Sequence, residues 1–89
     1  MKICKVVGHV WATKKEEALC GLKLMMVRQI DPLTEWEGVP FVAADQVGAG
    51  MDERVLVVEG STARKALACD TLPVDSAIVG IIDSLDAKY

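Results

Sequence analysis

The amino-acid sequence predicts an all-β domain with one short helix, a small OB-like five-stranded β-barrel. Three observations carry that expectation. The chain has 89 residues, the size of one domain, residues 1–89. It holds about five short runs rich in Val, Ile and Leu, punctuated by Gly, Pro and Asp. Two of those runs carry a glycine in mid-strand, Gly8 and Gly80, where a curved sheet bends.

Residues 1–13 alternate. Cys4, Val6, Gly8, Val10 and Ala12 form a small apolar face suited to a barrel interior, and Ile3, Lys5, Val7, His9 and Trp11 form the other. His9 reads as a solvent or interface histidine, because nothing near it in sequence orients it for catalysis. Residues 14–21 are a charged connector. Residues 22–30 suit a helix on the propensity of Leu, Lys and Met, but a second strand is preferred, with Lys23 and Arg28 its only charges and Asp31-Pro32 its stop. Residues 31–39 form a polar loop in which Asp31, Glu35 and Glu37 surround Trp36. Without an apolar pocket to shift their pKa values, these carboxylates read as solvated.

Residues 40–45 are a short strand that leads into Gly48-Ala49-Gly50. Two glycines around an alanine suit a tight path with positive φ or a close approach to another chain. The triplet lacks the spacing of a dinucleotide site and the Lys-Ser/Thr of a phosphate loop. Residues 53–59 predict a strand that Gly60 ends. Ser61 or Thr62 then offers a side-chain oxygen to cap a short helix through Ala63, Ala66 and Leu67. After a turn at residues 71–75, residues 76–85 predict the last strand, apolar on both faces and hence central or covered.

Composition narrows the function. The net charge is −3, which suggests neither a nucleic-acid nor an anionic-membrane surface. No apolar run is long enough to span a bilayer, and no signal peptide is visible. Cys4, Cys20 and Cys69 are odd in number and widely spaced, so they predict no disulfide framework and no metal pair, but small buried thiols in a reducing cytoplasm. No nucleophile–base pair, metal cluster or cofactor motif emerges, so neither an enzyme nor a cofactor is expected. The hydrophobic share of 52% is high for so short a chain, and the surplus predicts subunit contacts.

Val7-Gly8, Ala12-Thr13-Lys14, Lys23-Leu24, Asp45 with Val47-Gly48-Ala49-Gly50, Glu53 with Val55-Leu56-Val57, Gly60-Ser61 with Ala63-Arg64, and Pro73-Val74-Asp75 with Ile78-Val79-Gly80-Ile81-Ile82-Asp83 fall in order along the chain. Together they resemble the bacterial microcompartment vertex proteins, the pentamer family of carboxysomes and ethanolamine- and propanediol-type compartments. Asp52 stands where many of these relatives carry Gly, and Thr62 where Ser is common.

The resemblance implies an OB-like barrel that forms a homopentamer and caps the vertices of a polyhedral shell in the bacterial cytoplasm. Hexameric shell proteins are its implied partners. Small side chains at Gly48, Ala49 and Gly50 would let five loops crowd near the ring axis. Arg64, after the Gly60-Ser61-Thr62-Ala63 turn, reads either as a bridge between subunits to a carboxylate such as Glu59 or Asp83 or as an exposed helix cation. The rival reading is an OB-fold nucleic-acid-binding module, which needs a basic groove and stacking aromatics. Trp11, Trp36, Phe41 and Tyr89 are scattered along an acidic chain.

Overall fold

The computed structural model describes residues 1–11, 21–67 and 74–86. Among them are five strands and one helix: β1 (Lys2–Val10), β2 (Lys23–Gln29), β3 (Phe41–Asp45), β4 (Arg54–Glu59), α1 (Ser61–Ala66) and β5 (Ser76–Ile81). The strands close into a barrel in the order β1-β2-β3-β5-β4, with β4 returning to β1. All pairs are antiparallel except β3 with β5. Closure is short at two seams: β5 pairs β3 only at Ala44 and Asp45, and β4 pairs β1 only over Lys2–Lys5. Residues 14–20 of the charged connector, residues 71–73 of the turn at 71–75 and the expected strand end at Thr13 lie outside the described residues, as do Cys20 and Cys69.

The barrel interior is filled by alternate residues from each strand: Cys4 and Val6, Met25 and Val27, Ala43, Val55 and Val57, and Ile78. Phe41 and Ile81 pack against this core. A smaller cluster lies outside the barrel wall, where Ala63 of α1 covers Val58 and Ala77. β5 is therefore central, between β3 and β4, with α1 packed over it.

Three expectations need correction. On β1, Cys4 and Val6 face inward, but Gly8 does not share their face. The ladder slips between Val6 and Gly8, and Gly8 pairs with the exposed Met26. An extra residue in one strand reverses the alternation beyond it. At α1, the N-cap is Gly60, at φ 66°, with no side-chain cap from Ser61 or Thr62. The Gly60 carbonyl instead accepts from the N–H groups of Ala63 and Arg64. The last strand stops at Ile81, not Leu85. Its ladder with β4 ends at Val55 opposite Ile81, and one further bond runs from the Ile82 N–H to the Arg54 carbonyl.

Candidate functional site

The connection from β3 to β4 is built around a buried carboxylate. Asp45 ends β3, and its side chain is wholly buried. Its Oδ1 accepts from the Val47 N–H at 3.0 Å and its Oδ2 from the Ala49 N–H at 2.9 Å. An aspartate that bonds backbone two and four residues on holds a turn closed, as such residues do locally. Lys23, directly opposite Asp45 in the β2–β3 ladder, brings its ammonium to 3.3 Å from Oδ2. The same Nζ donates to the Ala49 carbonyl at 3.2 Å. The buried charge is thus paired and fully bonded, the condition under which burial is tolerated.

These bonds fix how Gly48, Ala49 and Gly50 lie. Ala49 is buried and its methyl joins the barrel core, so the triplet plugs one end of its own barrel. Gly48 is the residue with positive φ, at 78°, and a Cβ there would meet open space. Gly50 does not share that conformation. Its N–H donates to Glu53 Oε1 at 2.6 Å, and an added Cβ would lie 3.2 Å from that oxygen. Asp52 closes the turn at φ 66°, and its N–H bonds the Val6 carbonyl at 3.0 Å. The backbone of this loop is therefore tied to β1 and β2 as well as to itself.

Within one subunit, Arg64 and the two carboxylates offered as its partners on a neighbouring subunit, Glu59 and Asp83, make separate contacts. Glu59 pairs with Lys2 at 2.9 Å. Arg64 Nη1 reaches the Val74 carbonyl at 3.4 Å. Asp83 lies exposed beyond the end of β5. A charge cluster that sequence reasoning missed sits on the outer wall. Arg28 Nη1 is 3.1 Å from Glu37 Oε2, and Lys5 reaches Oε1 of the same carboxylate at 4.0 Å. Its legible sign was the pair of cations at alternate outward positions of neighbouring strands. Among the described residues, no group of three or more His, Cys, Asp or Glu could hold a metal ion. His9 is exposed and stacks on Trp11, ring centroids 5.9 Å apart.

The outer surface is the more telling part. Trp11 and Val39 are 87% and 85% exposed, and Leu33, Trp36, Val42 and Met51 are also exposed. The loop at residues 31–38 holds its apolar tip rigidly. Asp31 Oδ1 accepts from the Leu33 N–H, and the Asp31 and Gly38 N–H groups bond the Trp36 and Gln29 carbonyls. These exposed apolar side chains are distributed over the end of β1, the β2–β3 loop, β3 and the β3–β4 turn.

Comparison with known proteins gives a consistent answer. The family model described as ethanolamine utilisation protein EutN/carboxysome matches residues 1–83. The carboxysome shell vertex protein CcmL of Synechococcus elongatus is 45% identical over 99% of this chain and 89% of its own. The microcompartment shell vertex protein EutN of Escherichia coli K12 is 42% identical over 96% and 90%. Among solved structures, the GrpN pentameric microcompartment shell protein from Rhodospirillum rubrum superposes with a TM-score of 0.87 at 38% identity, covering 99% of this chain and all of that one.

Proposed function

This chain belongs to the ethanolamine-utilisation EutN/carboxysome family, and on that premise we propose that it is a structural shell protein, a homopentamer that caps the vertices of a polyhedral bacterial microcompartment in the cytoplasm. The observation that carries this reading is the end-to-end match with a pentameric shell protein. A layer of hexamers alone is flat. A five-fold unit at each corner introduces the curvature that closes it. A head-to-tail ring also gives the exposed apolar side chains something to cover them.

The role is architectural, not catalytic, and the partners are further copies of the chain and the hexameric proteins of the facets. Nucleic acid is not a partner on this reading. The net charge of −3 disfavours phosphate binding, and the two exposed tryptophans sit apart, one at the end of β1 and one in the β2–β3 loop. Native mass spectrometry of the purified chain tests the assignment. A discrete five-fold mass is expected, and a monodisperse monomer at micromolar concentration would overturn it.

A further inference from the structure

We draw no further inference here: the strongest candidate, the open apolar groove on the outer barrel wall lined by Ile3, Leu56, Ile81, Ile82 and Leu85, is bordered by charges of both signs, with Lys5 and Arg54 in register beside Ile3 and Leu56 and Asp83 in its lining, and nothing in the structure shows what covers it.

Discussion

The ammonium of Lys23 lies 3.3 Å from Oδ2 of Asp45, and this pair holds the β3–β4 connection in place. The carboxylate is buried and the lysine is about half exposed, so the two partners are unequal. Asp45 contributes mainly through the N–H groups it accepts from, at Val47 and Ala49. Lys23 neutralises it from the solvent side and adds one bond to the Ala49 carbonyl. Ala49 is carried into the barrel core as a consequence.

Asp45→Ala should therefore destabilise the subunit by about 2–4 kcal/mol. The buried Ala49 N–H loses its acceptor, at about 1–3 kcal/mol, and the turn at Val47 loosens. Asp45→Asn should cost less, about 1–2 kcal/mol, because it keeps one oxygen for one of the two amides. Lys23→Met should cost least, since a half-exposed partner is screened by water. Urea unfolding of the three variants checks the order. An equal loss in all three would show that the turn does not depend on the carboxylate.

Cys4 gives a pH dependence with a defined sign. Its thiol is raised from 9.0 to about 11, first by burial, with Lys2 opposing and Glu59 adding. The folded state therefore keeps its proton after the unfolded state has begun to lose it. The contribution is fully present below about pH 9 and is lost as pH rises towards about 11, by up to about 2–3 kcal/mol. Cys4→Ala should abolish this part of the slope while lowering stability at all pH values through the cavity it leaves. Parallel stability curves for parent and variant above about pH 9 would refute the shift.

In the cell, loss of this chain should leave shell sheets or elongated, leaky bodies where closed polyhedra normally form. Facets need only hexamers, whereas corners need a five-fold unit. Thin-section electron microscopy of a deletion strain is the measurement. Normally closed shells, in a strain with no second vertex protein, would contradict the assigned role.

Much of the fold was legible because the signals are local. Alternation in residues 2–6 and 23–29 and glycine at position 60 mark strands and their ends without reference to anything distant. The errors are places where one residue changes the count. The bulge after Val6 turns Gly8 outward, and a strictly alternating pattern cannot register it. At α1 the N-cap falls on Gly60, one residue before the expected Ser61 or Thr62, so both hydroxyl residues lie inside the helix and neither caps it. The Lys23–Asp45 pair was unreadable for a different reason. The partners lie on separate strands, and only the β2–β3 register sets them opposite. The Gly48-Ala49-Gly50 turn was visible as a tight loop, but which glycine needed its freedom was not. Asp52 holds a φ of 66°, a conformation that glycine adopts at less cost, and nothing local in the sequence marks it.

The same loop yields a last prediction with three signs. At Gly48 the backbone is left-handed and the surrounding space is open. Gly48→Ala should therefore cost about 1–2 kcal/mol from backbone strain alone. Gly50 has no such strain, and its added methyl would meet only the end of a Glu53 side chain. Because that carboxylate can move aside, Gly50→Ala should cost less than about 1 kcal/mol, the residual being a weakened bond to the Gly50 N–H. Asp52 is an L-residue held at positive φ, so Asp52→Gly should be neutral or stabilising by up to about 1 kcal/mol. Gly50→Leu differs again, since a bulky side chain beside Glu53 would project from the subunit surface. If five such loops crowd around the ring axis, Gly50→Leu should weaken the pentamer more than it lowers subunit stability, and Glu17→Leu in the charged connector should not. Thermal melting and native mass spectrometry separate the two effects. A Gly50→Leu variant that assembles like the parent would place this loop away from the axis. A Gly48→Ala variant as stable as the parent would mean that the turn relaxes out of its left-handed conformation at little cost.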